Sequence, residues 1–450
     1  MIRDMTKGSP TKILWAYSTP LLFSIVFQQL YNIADSVIAG KFVGVNALAA
    51  VGASYPITMI FMAFAQGCNV GGSVIISQLF GAKEYTKMKT AINTSLIACS
   101  GLSLLLTIFG VIFCKPLLKM MDTPQTIMPE SQIYLDIYIY GLFFLFIYNM
   151  CTGVFTALGD SKTPLYFLIA SSLSNIAVDI LFVTVFQMGV AGVAWATFIC
   201  QGIAAICAFF AVILKLKKIK TDDAPKPFSF KTLGQISKLA IPSILQQSFV
   251  SVGNLFIQRL VNLYDVSTIA GYSAAVKLNT FAVTCFNTLS SGVSGFTAQN
   301  IGAGKIDRIK KGYHAGFGLA ACVAIPFMLI YIIFGGFISG LFLNSNDGQD
   351  AIQVAATFLI IVAPFYPIVS IKVMTDGLLR GASCVWAFMA STFTDLILRV
   401  VLAFVLAIGA GLRQNGIWWS WPIGWILGMA VALIFYLCGT WKKHIKITAD

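Results

Sequence analysis

Gln78-Leu79-Phe80-Gly81-Ala82 returns as Gln299-Asn300-Ile301-Gly302-Ala303, 221 positions later. The offset persists on both sides of this pair. Pro20 answers to Pro242, Asn32 to Asn254 and Gly159 to Gly381, each 222 apart, and Trp195 answers to Trp419, 224 apart. The chain is therefore a duplicated scaffold. Its acids do not repeat: Asp35 falls opposite Ile257, 222 apart, and Asp179 opposite Arg399, 220 apart. Matched halves with chemistry written into one of them is the pattern of a transporter whose frame is symmetric and whose coupling site is not.

The repeat units are built for lipid. Hydrophobic residues make up 58% of 450 and charged residues 10%, with a mean hydropathy of +0.84, whereas soluble domains carry about 25% charged residues. Twelve apolar windows are long enough to span a bilayer. They lie at about 13–40, 48–76, 91–114, 133–157, 164–187, 190–214, 238–264, 268–298, 315–342, 352–379, 385–410 and 416–440. Windows of this length suit helices rather than the alternating ten-residue strands of a barrel. The expectation is an all-α polytopic membrane protein of twelve helices in two six-helix lobes. Six is even, so the lobes share one orientation and form parallel repeats. The lobes are expected at 1–214 and 238–450, joined by a flexible linker at 215–237 that holds a lysine run, Asp222-Asp223, Pro225 and Pro227.

The net charge of +13 is a topology signal rather than a nucleic-acid footprint. Twenty-two Lys and Arg fall on the side shared by the termini: the N-terminus, Lys83 to Lys89, Lys162, Lys215 to Lys238, Lys305 to Lys311, Arg380 and the C-terminus. Four fall on the other: Lys41, Lys115, Lys119 and Arg413. By the positive-inside rule both termini are cytoplasmic, in a multi-pass protein of the cell's inner (plasma) membrane. The first twelve residues are polar and the first window is long, which fits a retained helix rather than a cleaved signal. The ten cysteines show no paired spacing and read as small core residues.

The chain lacks a Walker A pattern, a nucleophile elbow and any zinc spacing, and its two histidines, His314 and His444, sit in basic flanks. Neither an enzyme nor an ATP-driven pump is expected, and no cofactor. Uphill movement would draw on an ion gradient.

A charge inside a membrane needs a reason, because it costs about 2.5–3.5 kcal/mol at the centre of a helix. The first window carries Gln28, Tyr31, Asn32 and Asp35 on one face, and the fifth carries Ser171, Asn175 and Asp179 at four-residue steps. Tyr134 and Tyr138 share a face of the fourth window, and Thr197 lies in the sixth. If these faces converge, two carboxylates, an amide and several hydroxyls surround one pocket. Paired carboxylates raise each other's proton affinity, and the same oxygens suit a hard cation such as sodium. A hydrogen-bond network that merely fixes helix packing is the bland alternative. In the second half, Lys372 and Asp376, and Asp395 and Arg399, are each four apart. They read as intrahelical ion pairs, or as a charged patch that binds or gates substrate. Gln28, Tyr31, Asn32, Asn254 and Gln258 are weaker substrate-cavity candidates, with Asp376, Asp395 and Arg399 of the charged patch. Pro20 and Pro242 lie inside their windows, and Pro364 and Pro367 inside the tenth; interior prolines permit kinks.

Pro20 to Asp35 in the first window, Leu48-Ala49-Ala50-Val51-Gly52 opening the second and Gln78-x-x-Gly81-Ala82 closing it resemble the MATE multidrug and toxic-compound exporters, over almost the whole chain. The resemblance implies an antiporter that takes in protons or sodium and expels amphipathic, often cationic, organic compounds by rocking two lobes. It implies a first-lobe cation site at Asp35, Asn175, Asp179 and Thr197, ligands of Na+ if sodium is the coupling ion, with Tyr134 beside them. This is similar to the DinF-type branch more than the NorM-type, because the seventh window offers Asn254 and Gln258 but no carboxylate. Small organic substrates and the lipid bilayer are the expected partners, with no nucleic acid, and a monomer is expected. A lipid-linked precursor flippase of the same superfamily is the alternative; Arg259, Lys277 and Arg399 are what such a protein would use on an anionic head group.

Overall fold

The computed structural model describes residues 3–38, 42–43, 45–121, 123–341, 343 and 348–442; within these, the side chains of 32–38, 45–48 and 348 are not described. The helices in chain order are α1 (Pro10–Ile38), α2 (Val45–Gly81), α3 (Tyr85–Met120), α4 (Met128–Tyr140), α5 (Leu142–Ala157), α6 (Lys162–Ile180) and α7 (Gly189–Lys217). They continue with α8 (Phe230–Val261), α9 (Val266–Gly302), α10 (Ile306–Gly340), α11 (Gly348–Val362), α12 (Tyr366–Gly381), α13 (Val385–Phe404) and α14 (Arg413–Leu437). No strand occurs among the described residues.

Each of the twelve apolar windows coincides with one helical rod, because four of the rods are composite. The fourth is α4 plus α5, bent by 48° at Gly141. The tenth is α11 plus α12, joined by a single 3₁₀ turn over Ala363–Phe365. Gly141 and Ala363 are 222 apart, so the two halves break the same rod, one at a glycine and the other at Pro364 and Pro367, which have no N–H to donate. The fifth and eleventh rods end in π turns, Leu181–Val185 after α6 and Val405–Gly409 after α13.

Among the described residues ten helices are long and apolar enough to cross a membrane, eleven with the bent pair as one span. The remaining rod, α9, is polar for a reason of position. Thr268, Asn279, Ser290, Thr297, Gln299 and Asn300 on it are all buried. They bond protein: Tyr366 Oη donates to Asn279 Oδ1 (3.2 Å), and Gln299 Oε1 accepts from the Met5 N–H (2.9 Å). A helix enclosed by its neighbours need not be apolar, whereas one facing lipid must be. The lipid-facing extreme is α3, where Leu104, Leu105, Ile108, Phe109, Ile112 and Phe113 are exposed, and α10, where Leu329, Ile333, Phe334 and Phe337 are.

The chain falls into two compact units, Met1–Asp4 with Phe23–Ile244, and Met5–Leu22 with Leu245–Asp450. It passes from one unit to the other inside α1, two residues beyond Pro20, and inside α8, two residues beyond Pro242. Glycine notches hold the transferred half-helices. In the first unit, a Cβ on Gly71 of α2 would lie 2.8 Å from the Ala240 Cβ of α8, and one on Gly67 would lie 2.3 Å from Ile244 Cγ1. In the second, a Cβ on Gly292 of α9 would lie 2.5 Å from Ser18 Oγ of α1. Gly71 and Gly292 are themselves repeat partners, 221 apart. Small residues that let backbones approach are the usual device of membrane helix packing.

The segment expected to be a flexible linker is tied down within the first unit. α7 ends at Lys217 and α8 begins at Phe230, and the stretch between lies along α3. Lys89 Nζ donates to the Ile219 carbonyl (2.7 Å), the Lys226 N–H to Thr90 Oγ1 (3.0 Å) and the Ser229 N–H to Thr94 Oγ1 (3.1 Å). Prolines and charges made this stretch look free; hydroxyls on α3 that the sequence does not associate with it are what hold it.

Candidate functional site

The polar stripe of α6 is the nucleus of the site. Asn175 and Asp179 are 3% and 0% exposed, one turn apart on a mainly apolar helix. Ser171 closes on its own helix, donating to the Leu168 carbonyl (3.1 Å). In the amide orientation that satisfies both of its ends, Asn175 Nδ2 donates to Tyr31 Oη (2.6 Å) and to Asp179 Oδ2 (3.1 Å), while Oδ1 accepts from the Thr197 N–H (3.1 Å). Three rods, α1, α6 and α7, thus meet on one amide, all within the first unit. The buried Cys200 also lies beside Asn175 and Asp179. Thr197 enters through its backbone N–H, a contact that sequence reasoning about its hydroxyl does not anticipate.

Thr197 also lines a small pocket. Tyr134 and Tyr138 of α4 line it, with Phe198 and Gln201 of α7. Four of the expected residues, Tyr31, Asn175, Asp179 and Thr197, are therefore brought together, and Tyr134 shares a pocket with Thr197. The side chains of Asp35 and Asn32 lie outside the described residues, as do Lys41 and His444. Gln28 is exposed on α1. Asn254 is exposed on α8, and Gln258 donates to Asn262 Oδ1 (2.8 Å) in the turn that follows α8; among the described residues neither joins a polar cluster.

The second unit holds a different constellation. Lys372 on α12 places Nζ 3.2 Å from Asp376 Oδ2 and 3.2 Å from Asp395 Oδ2 on α13. The expected Lys372–Asp376 pair is present, but the expected Asp395–Arg399 pair is not. Lys372 takes Asp395, and the Arg399 guanidinium lies over the Trp421 ring of α14, 4.3 Å from its centroid. A cation on an indole face retains electrostatic stabilisation without a carboxylate. Four-residue spacing permits an ion pair; a third charge from another helix decided the competition. The repeat register also needs correction. The π turns Leu181–Val185 and Val405–Gly409 are 224 apart, matching Trp195 and Trp419, and this offset sets Asp179 opposite Ala403 rather than Arg399. The acid still has no acidic partner.

Outside the membrane spans, Asp160 in the turn between α5 and α6 pairs with Lys215 at the end of α7, and its carboxylate also accepts from the Thr163 hydroxyl (2.7 Å) and N–H (3.1 Å). Burial pushes this carboxyl up, but Lys215 and Thr163 outweigh it and hold the pKa at about 2. Sequence reasoning treats Lys215 as a topology charge and misses this role, since its partner is 55 positions away. Among the described residues no group of three His, Cys, Asp or Glu is placed to hold a metal ion.

Solved structures share this architecture. A MOP superfamily transporter from Pyrococcus furiosus matches with a TM-score of 0.89 at 21% identity, covering 99% of this chain and 98% of that one. A MATE crystal structure in the bent conformation matches with a TM-score of 0.88 at 21% identity over the same shares. At such identities the likeness speaks for the fold. Sequence relatives go further. The probable multidrug resistance protein YpnP of Bacillus subtilis is 30% identical over 441 residues, 98% of this chain and 97% of its own length. The multidrug export protein MepA of Staphylococcus aureus is 24% identical over 443 residues, 96% of this chain and 94% of its own. The family model described as MatE matches twice, at residues 20–181 and 242–405, once on each copy of the repeat from which the reading began. The chain belongs to the MatE family of multi-pass, ion-gradient-driven membrane transporters.

Proposed function

We propose that this protein is a secondary active multidrug exporter, exchanging protons or sodium for amphipathic, often cationic, organic compounds by alternating access. The observation that carries the proposal is the Tyr31–Asn175–Asp179–Thr197 network: a fully buried carboxylate held by an amide that ties three helices of one unit. The coupling ion is taken by Asp179 with Asp35, with Asn175, Thr197 and Tyr134 around them. A buried carboxylate gains stability from binding a proton or a sodium ion, so its occupancy is linked to how α1, α6 and α7 pack. The relatives named for multidrug resistance and export support the cargo class.

The second unit's basic groups favour the exporter over the flippase. Lys372 is neutralised by two acids and Arg399 is stacked on Trp421, while Arg259 and Lys277 are exposed on their helices. None of these converges on a site for an anionic head group. The reading is completed by lobes at 1–214 and 238–450 about a linker at 215–237, a plasma-membrane location, cytoplasmic termini and a monomeric, DinF-like protein.

Transport in proteoliposomes with separately imposed proton and sodium gradients is the test. One gradient is expected to drive uptake of a fluorescent organic cation into inverted vesicles, and Asp179→Asn and Asp35→Asn are each expected to abolish the driven component. Undiminished driven uptake in both variants would reject the site.

A further inference from the structure

Three charged side chains are buried together in the second unit: Lys372 at 4%, Asp376 at 5% and Asp395 at 8% exposure. One nitrogen stands at equal distance, 3.2 Å, from an oxygen of each acid. Without it, two carboxylates would face each other in a low-dielectric interior, an arrangement that demands a proton or a cation. The space around them is built for the occupant. On α14, a Cβ at Gly428 would lie 2.8 Å from Lys372 Cε, and one at Gly424 would lie 2.9 Å from Asp395 Oδ1. Glycines at both positions let the lysine stem and the acid occupy the groove that side chains would fill.

The neighbouring charges do not substitute for the lysine. Arg399 lies over Trp421, and Arg380, whose charge reaches Asp376, makes no ion pair with it among the described residues: it reaches toward Ser290 and lies over Phe388. The other titratable groups near the cluster are Tyr313 of α10, facing Asp376, and Tyr272 of α9, facing Arg399. Asp376 Oδ1 and Asp395 Oδ1 are buried and accept no hydrogen bond among the described residues. The two acids therefore offer more oxygen than one ammonium uses. At the repeat offset of 222, Lys372 and Asp376 correspond to Met150 and Val154, so the first unit carries no lysine–acid pair at these positions.

We infer that Lys372 is a tethered counter-cation: it occupies a two-carboxylate site that would otherwise take a monovalent cation, so the second unit contributes no exchangeable coupling ion. Lys372 is thereby a specificity-determining residue that sets the number of ions exchanged per cycle. This last step rests on the reading that the first unit holds the coupling ion; the occupancy of the two-acid site by Lys372 does not.

The experiment counts cations on purified full-length protein in detergent, by binding of radioactive sodium at pH 8 and by proton uptake between pH 9 and pH 6. Lys372→Met is expected to bind one more sodium ion or proton per molecule than its parent. Lys372→Met with both Asp376→Asn and Asp395→Asn, which leaves no carboxylate in the site, is expected to lose that gain. A monodisperse Lys372→Met protein with an unchanged count would overturn the inference. Asp395→Asn alone keeps one lysine opposite one carboxylate and gives a second arm should Lys372→Met not fold. Its count must equal that of the wild type, and the loss of one cation would equally overturn the inference. Each gain is measured against its own parent, including an Asp179→Asn parent. The count therefore stands or falls separately from the first-unit site, which the transport assay decides.

Discussion

Asp160 shows how much a single position conceals from the sequence. In the chain it reads as part of a Gly-Asp turn, and Lys215 as one of many basic residues after a membrane span. Folding buries the carboxyl to 2% exposure and closes it with Lys215 and Thr163. Its pKa falls from 3.8 to about 2. A depressed carboxyl contributes stability above its unfolded pKa and loses it as pH falls through the folded one. Asp160→Asn is expected to cost ~2 kcal/mol at pH 7, read as a lower midpoint of thermal unfolding in detergent. The gap from the wild type should narrow as pH drops from about 4 to about 2. Asn175 is the opposite case. Its stripe with Asp179 was legible from four-residue spacing, but its bonds to Tyr31 and to the Thr197 backbone were not, because they join helices far apart in sequence. Asn175→Ala removes the amide that joins Asp179 to Tyr31. It is expected to reduce gradient-driven transport at least tenfold while leaving expression intact; unchanged driven transport would show that the amide serves packing alone.

At the scale of elements, the prolines and glycines carry the argument. Pro20 and Pro242 each stand two residues before the point where their helix passes from one unit to the other. Proline removes one backbone bond and weakens the helix locally. Replacing Pro242 with Ala restores that bond and stiffens α8, so Pro242→Ala is expected to fold at least as stably as the wild type yet transport more slowly. Equal turnover in both proteins would mean that the proline only packs. Glycines give a sharper contrast, because intrinsic helix propensity predicts the wrong sign at the notches. Gly→Ala in an open helical position stabilises by up to about 1 kcal/mol, and Gly101 and Gly318 have nothing within 4 Å of an added Cβ. Gly71 meets the Ala240 Cβ and the Ile236 carbonyl, both at 2.8 Å. Gly71→Ala is expected to destabilise by about 1–3 kcal/mol, whereas Gly101→Ala and Gly318→Ala should be neutral or stabilising, as thermal unfolding in one detergent would show. The duplicated Gly71 and Gly292 were visible in the sequence only as members of a repeat; which half-helix they admit was not.

For the whole molecule, the class of protein and its twelve rods followed from composition and window length, since lipid tolerates only segments that satisfy their own backbone bonds and cover them with apolar side chains. The one rod that fell short of that rule, α9, is enclosed by protein along most of its length, and the rule applies to surfaces. Duplication was equally determined by the chain, because equal offsets survive in the order of residues whatever the fold. The family match on both halves restates the same fact. The tertiary structure alone decided who pairs with whom. It passed the first half of α1 to the second unit and the first half of α8 to the first. It laid the linker on α3, and it gave Asp395 to Lys372 while leaving Arg399 to Trp421. Helical periodicity carries information along one element, over a turn or two. Contacts between elements depend on which faces meet, and those faces are chosen by the packing of all the helices together.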